Sequence, residues 1–466
     1  MGIISYGTYV PRYRLDRRAI RAVLGTGGAS GTRSVAGYDE DTTTLAVEAA
    51  RRALRSDAPT LPPRLVSLAT TRPAYLDKTN ATAVHAALGL PTDAEAVDCA
   101  GAARSGHAAF DLAAASDGVA AMADIRWGRP ASAEELDGGD AAAAFVFGPD
   151  ADSVAVEFAR ATATAEFMDR WRLPSKTVVS AWEDRFGEHA YQPLVVAAAS
   201  ELTRQAGVTI DTFDRVIVTG LHNRATRTAA RNLGVTPAQL VADLAGEIGN
   251  TGAAHPWLLL ARTLDTAEPG ETILLVHLAD GCIMRAFRTT PHLTARRPRR
   301  APSATLDVSY ADALTWRNVL EREPPRRPRP DVPAAPPALR AGDWKFGFYG
   351  SVDDVGNVHV PPARVSLHTR SAAPPEPVRL ADTPATIVNI TVDRLAYSMS
   401  PPVIVAIVDF DGGGRYQCTL TDTTPDEARI GQRVEMTFRN LYTQDGVHNY
   451  FWKARPLADS AADTTT

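Results

Sequence analysis

The sequence predicts an α/β body made of two similar halves, followed by a small all-β barrel. Three observations carry that expectation. Strand-like and helix-like segments alternate through the first 290 residues. Their order recurs inside that stretch. After a Pro- and Arg-rich segment, only short strands with Gly- and Asp-rich turns remain.

In the first half "GIISYGTYVP" is an apolar strand ended by Pro11. "DEDTTTLAVEAARRALRS" has an acidic start and a helical apolar period. "LVSLATT" and "EAVDCAG" read as strands, "NATAVHAALGL" and "RSGHAAFDLAAASDGVAAM" as helices, and "AAAAFVFG" closes the half as a strand. The second half runs "LVVAAASELTRQAG" (helix), "RVIVTGL" (strand), "NRATRTAARNLG" and "GNTGAAHPWLLLARTLD" (helices) and "TILLVHLADG" (strand). The halves divide at about residues 1–155 and 156–290, and "DGGDAAAAFVFG" ends the first much as "ETILLVHLADGC" ends the second. Each has a helix opening in small residues, Gly101–Ala108 and Gly249–Ala254, which lets two helices approach closely between sheets.

Residues 291–342 are rich in Pro and Arg and read as a surface-tracking linker. Residues 343–458 hold five or so short strands, among them "ATIVNITVDRL", "PVIVAIVDF" and "RVEMTFRNLY", which suggest a small barrel. Residues 459–466 are expected to be disordered.

A chain of 466 residues is too long for one ordinary core. Its net charge of −5, from 49 basic and 54 acidic residues, offers no electrostatic case for nucleic acid or an anionic membrane. No apolar run has membrane-spanning length and the first residues lack a signal-peptide core, so a cytoplasmic protein is expected. Cys99, Cys282 and Cys418 are too scattered for a disulfide framework or a zinc set.

The opening "GIISYGTYVPRYRLDRRAI" with "YDEDTTTLAVEAARRAL" resembles the microbial hydroxymethylglutaryl-CoA synthase family, as do "FMDRWRLP", "EDRFGEHAY" and "GNTGAAHPWLLLA" further on. The resemblance covers residues 1–290 and implies a duplicated thiolase-like fold with layers α-β-α-β-α, shared with the type III ketoacyl synthases. It also implies a homodimer and a thioester of coenzyme A or of an acyl carrier protein as substrate. The C-terminal "VDFDGGGRYQCTLTD" and "VEMTFRNLYTQDGVHNYFWKARP" resemble the OB-fold proteins associated with acyl-CoA enzymes, which a zinc ribbon normally precedes. Here "VDDVG" stands at the metal knuckle, with Val352 and Val355 at two thiolate positions and Ser366 at a third. Zinc needs about four N or S ligands, and His359 and His368 alone cannot supply them, so no metal or other cofactor is expected.

The family's nucleophilic cysteine lies five residues after an Asp like Asp98 and seven before an apolar residue like Phe110, and both spacings converge on Ala103. Cys99 comes four residues early and reads as a buried strand cysteine. Ser105 comes two late and would need an adjacent base. Backbone N–H groups at the helix start could still bind a thioester oxygen, with a second contribution implied from the turn near Gly281. The family's acid/base glutamate falls in "TTRPAYLDKTNA", where Arg72 and Pro73 occupy its place. Asp77 either substitutes for it, caps, or pairs with Lys78.

His222, directly after the strand "VIVTGL", matches the family's catalytic histidine, and Asn250 in "EIGNTGAAH" its asparagine, with a helix N-cap as the alternative role. Two parts of the machinery are thus present, and the two needed for covalent condensation are missing. Three functions follow: acyl transfer without an acyl-enzyme through His222 and Asn250; aldol or retro-aldol chemistry on a CoA thioester; or a non-catalytic scaffold that holds acyl-CoA for a thiolase-type partner.

Overall fold

The computed structural model describes residues 2–55, 62–174, 176–298, 304–323, 327–328 and 330–457. The first half comprises β1 (Gly2–Tyr9), α1 (Thr42–Leu54), β2 (Leu65–Thr70), α2 (Ala81–Leu88), β3 (Glu95–Ala100), α3 (Ser105–Ala115), β4 (Val119–Ile125) and β5 (Asp140–Gly148). The second comprises β6 (Ala155–Thr164), α4 (Asp184–Ala206), β7 (Arg215–Gly220), α5 (Asn223–Asn232), α6 (His255–Thr266), β8 (Thr272–Leu278) and β9 (Gly281–Thr289).

The duplication is visible in the ladders. β1 pairs antiparallel with β5, β5 antiparallel with β4, and β4 parallel with β2, which runs parallel to β3. In the second half β6 pairs antiparallel with β9, β9 antiparallel with β8, and β8 parallel with β7. A parallel bridge from Val216 to Leu240 stands where β3 stands in the first half. The halves join edge to edge through Gly2–Val156 and Ile3–Ala155, giving the order β7-β8-β9-β6-β1-β5-β4-β2-β3. The sequence echo is therefore offset from its expected place. "DGG" opens β5 as "ADG" opens β9, so β5 matches β9 and β4 matches β8.

α3 and α6 form the middle layer. Phe110 stacks on Trp257 with ring centroids 4.6 Å apart, among Phe145, Phe147 and Phe287. Such a pair adds about 0.5–1.5 kcal/mol beyond its buried area. Gly106 makes the approach possible, since a Cβ there would lie 2.4 Å from Trp257 Nε1. α6 itself starts at His255, because Gly252–Ala254 forms a single tight turn before it. α1 and α4 cover the outer faces of the two halves. α1 is capped reciprocally: Asp41 accepts from Thr44 N–H while Thr44 Oγ1 accepts from Asp41 N–H, both at 2.9 Å.

Part of the expected linker belongs to this body. α7 (Tyr310–Trp316) is buried against Leu15, Ile20, Val35 and Trp127, and Leu306–Asp307 lies parallel to Tyr13–Arg14. The surface-linker expectation for residues 291–342 is corrected there: Tyr310, Leu314 and Trp316 give an apolar helix face that the Pro/Arg composition masks. Of the arginines in this stretch, Arg296 reaches Asp152 O and Arg297 reaches Ala267 O. Residues 299–300, 326 and 329, and the tail 459–466, lie outside the described residues.

The barrel consists of β10 (Ala385–Asp393), β11 (Val403–Phe410), β12 (Arg415–Thr419), β13 (Arg433–Gln444) and β14 (Val447–Pro456), in the order β12-β11-β10-β13-β14. A bridge from Leu420 to Ala454 closes it. It packs on α1, and one apolar cluster runs from Leu45 and Val47 through to Phe438 and Trp452. The seam also buries charge. Arg439, fully buried, pairs with Glu40 and with Asp422 at 2.7 Å and donates to Tyr9 Oη at 3.0 Å. Lys453 meets Asp39 at 2.8 Å, and Arg455 meets Glu48 at 2.7 Å. Burial alone would raise the Asp39 carboxyl, but Lys453 and Arg439 outweigh it and hold it below its ordinary range.

Ahead of the barrel, three short strands (Tyr349–Val352, Val358–His359 and Glu376–Arg379) form the ribbon. Asp353 is its hub. Its carboxylate accepts from Ser366 Oγ at 2.6 Å, Asn357 N–H at 2.8 Å and Val355 N–H at 3.1 Å, with His359 Nε2 at 3.4 Å.

Candidate active site

β2, β3 and β4 run parallel, so their C-terminal ends open on one side of the sheet. Thr71 and Arg72 follow β2, Gly101–Ala103 follow β3, and Asp124 and Arg126 lie at the end of β4. The second half adds the segment Asp169–Arg172, Tyr191 from α4 and the turn Ala279–Asp280. Together they enclose a cavity of about 120 Å³.

Ala103 lies on the cavity wall just before α3, 5% exposed. The cysteines stand elsewhere. Cys99 sits on edge strand β3, its thiol raised by burial and by Asp98. Cys282 is buried on β9, its thiol pushed up to about 12 by burial. Ser105 Oγ faces Ala102 N–H at 3.4 Å and is off the wall. Asp77 is exposed and away from the cavity, and Lys78 bonds Thr79 O and Thr82 Oγ1 instead. Gly281 begins β9 behind the Ala279–Asp280 turn that does line the cavity.

His222 caps α5. Its Nδ1 accepts from Ala225 N–H at 3.1 Å, which puts the ring proton on Nε2. That Nε2–H is buried without an acceptor among the described residues and lies against Gly187 of α4, where a Cβ would come within 2.6 Å. Leu221 and Tyr191, not His222, reach the cavity wall. Asn250 is also set back from the wall. Its Nδ2 donates to Gly220 O at 2.9 Å, and its Oδ1 accepts from Gly252 N–H at 3.0 Å and Arg126 Nη1 at 3.2 Å.

The cavity is strongly charged. Arg126 and Arg170 both bind Glu134. Burial would raise that carboxyl, but the two guanidiniums outweigh it and hold it at about 2. Asp124 accepts from Thr71 Oγ1 at 2.7 Å and Ala253 N–H at 3.0 Å, yet burial keeps its carboxyl above the ordinary range. Tyr191 Oη donates to Asp169 at 2.9 Å. Asp169, Arg170 and Arg172 lie in "FMDRWRLP" and Tyr191 in "EDRFGEHAY", two stretches that carry the resemblance but in which the sequence reading picked out no site residue. Arg126 and Glu134 lie in "DIRWGRPASAEEL", whose charges read locally as solvated surface.

The duplicated sheets, the buried helix pair and the cavity at the strand ends define a thiolase-like protein with a C-terminal OB-fold barrel. The solved structure "MvaS in complex with 3-hydroxy-3-methylglutaryl coenzyme A" matches with a TM-score of 0.57 at 19% identity, over 72% of this chain and 94% of that one. The 3-oxoacyl-[acyl-carrier-protein] synthase III of Aquifex aeolicus matches at 0.53 and 19%, over 62% and 99%. Residues 203–288 match the family model of the 3-oxoacyl-[acyl-carrier-protein] synthase III C terminal, and residues 377–439 that of the ChsH2 C-terminal OB-fold domain. The hydroxymethylglutaryl-CoA synthase of Archaeoglobus fulgidus is 33% identical over 304 residues, 62% of this chain and 88% of that protein. That of Thermococcus kodakarensis is 30% identical over 320 residues, 66% of this chain and 91% of that protein. The chain belongs to the hydroxymethylglutaryl-CoA synthase family of thiolase-like acyl-CoA condensing enzymes.

Proposed function

We propose that this chain binds a thioester of coenzyme A or of an acyl carrier protein in the cytoplasm and acts on it as an acyltransferase or condensing-type enzyme, without acylating itself. One observation carries the reading: a methyl group, that of Ala103, lines the cavity where the family resemblance puts a thiol. The relatives are named as hydroxymethylglutaryl-CoA synthases, and solved neighbours are described with 3-hydroxy-3-methylglutaryl coenzyme A or an acetyl donor carrier protein. The orphaned Nε2–H of His222 would donate to a thioester oxygen once Tyr191 and Leu221 give way to substrate. A placed histidine of that kind is worth about 10²–10⁴ in rate. Asn250 would act by holding Arg126 and the Gly252 turn. The outer edge of β3 has no strand partner among the described residues, so it offers a second copy a place to pair in a homodimer. With Asp353 holding the ribbon, we expect no zinc.

A scaffold that presents acyl-CoA to a thiolase-type partner is the second reading, favoured by the spent amide of Asn250 and the shielded ring of His222. Intact mass after incubation with acetyl-CoA, together with turnover assays, separates these. The enzyme reading expects no adduct, and expects His222→Ala to abolish turnover while CoA binding stays within several-fold. An acyl adduct on the wild type refutes the non-covalent step. Turnover that needs an added thiolase-type partner supports the scaffold.

A further inference from the structure

We infer that Arg72 and Arg172 form an anion subsite in the cavity, and that the thioester held there carries a carboxylate on its acyl chain. This rests on the reading of the cavity as a thioester site.

The four cavity arginines fall into two kinds. Arg126 and Arg170 share Glu134. Arg72 and Arg172 have no carboxylate within 4.0 Å among the described residues; their acceptors are backbone carbonyls. Arg72 Nη2 donates to Trp127 O at 2.7 Å, and its Nε and Nη1 have no acceptor among the described residues. Arg172 Nη2 donates to Thr71 O, next in the chain to Arg72, and its Nε has no acceptor among the described residues. Two guanidiniums thus line one cavity, anchored on backbone carbonyls and with donors to spare.

The pairing is electrostatically unfavourable as it stands. Burial lowers Arg72 first, and the largest charge acting on it after that is the cation of Arg172, ahead of Asp124 and Glu134. An anion between them would relieve both effects, and forked guanidiniums match the two oxygens of a carboxylate. The resemblance expects a carboxylate where Arg72 and Pro73 stand, so the charge of this corner is inverted. The cavity of about 120 Å³ has room for several water-sized groups. That suits the short acyl chain of a dicarboxylic half-thioester, with pantetheine outside.

Butyryl-CoA and succinyl-CoA have acyl chains of similar length that differ in a terminal methyl against a carboxylate. Calorimetric titration of the full chain should find succinyl-CoA bound about tenfold more tightly, roughly one charge-assisted hydrogen-bonded pair. Arg72→Gln and Arg172→Gln should each cut the succinyl-CoA affinity about tenfold more than the butyryl-CoA affinity, and Arg72→Lys should keep part of the preference. Thermal melts identify any variant that has lost its fold. Equal wild-type affinities overturn the subsite and leave the thioester reading intact, as does a preference that survives in both folded Gln variants. Binding of neither thioester overturns both. Free succinate that binds the butyryl-CoA complex, with no succinyl-CoA preference, would assign the carboxylate to a separate acceptor and overturn the acyl-chain assignment.

Discussion

Arg126 Nη1 donates to Asn250 Oδ1 across 3.2 Å, so a residue at the end of β4 holds one that belongs to the other half of the duplicated fold. The same Asn250 reaches Gly220 O and Gly252 N–H, which ties the base of the cavity to β7 and to the turn before α6. The two halves meet here through polar contacts.

Arg126→Leu should therefore be costly. It would strip Glu134 of one of its two ion pairs and remove one donor from the buried Asn250. Breaking one side of a buried pair costs about 3–5 kcal/mol, and urea unfolding should show a loss of that size. A loss below about 1 kcal/mol would mean that Arg170 alone satisfies Glu134.

Glu134 also sets an acid limit. Its folded pKa of about 2 lies below the ordinary value of 4.5. Its stabilisation is therefore present above about pH 4.5 and fades as the pH falls towards 2. Glu435, where Arg455 outweighs the effect of burial, is held at about 2 and adds to the same slope. Unfolding free energy measured across this range should fall steeply for the wild type and less steeply for Glu134→Gln.

Ala103→Cys should turn the cavity wall into a nucleophile. After incubation with acetyl-CoA, the variant should gain the mass of one acyl group per chain, and the wild type none. A variant that binds thioester yet never gains mass would show that position 103 faces away from the reacting carbon.

At the barrel seam, Arg439→Met should leave Glu40 and Asp422 buried without their shared cation. We expect a loss of about 3–5 kcal/mol and, by calorimetry, one transition for body and barrel together in both proteins. Two separate transitions in the wild type would show that the seam is not cooperative.

Much of this fold is legible in the sequence. The alternation of elements, the internal echo and the all-β end follow from period and turn residues, and Ala103 stands out only through the resemblance, whose two spacings meet on it. The residues that escape are those whose surroundings are assembled from distant segments. Asp39 and Glu40 read as the acidic start of a helix, a role that Asp41 alone performs; the other two face Lys453 and Arg439. Glu134 and Arg126 look like loop charges until α4, β4 and the Arg170 segment close around them. α7 is hidden by the proline-rich chain on either side of it.

The shared apolar cluster beneath the barrel has one more effect. Where such modules are separate proteins, dilution can part them and their ratio follows how much of each is made. Here translation of a single message fixes them one to one, and severing the chain between them would leave a greasy scar on each fragment.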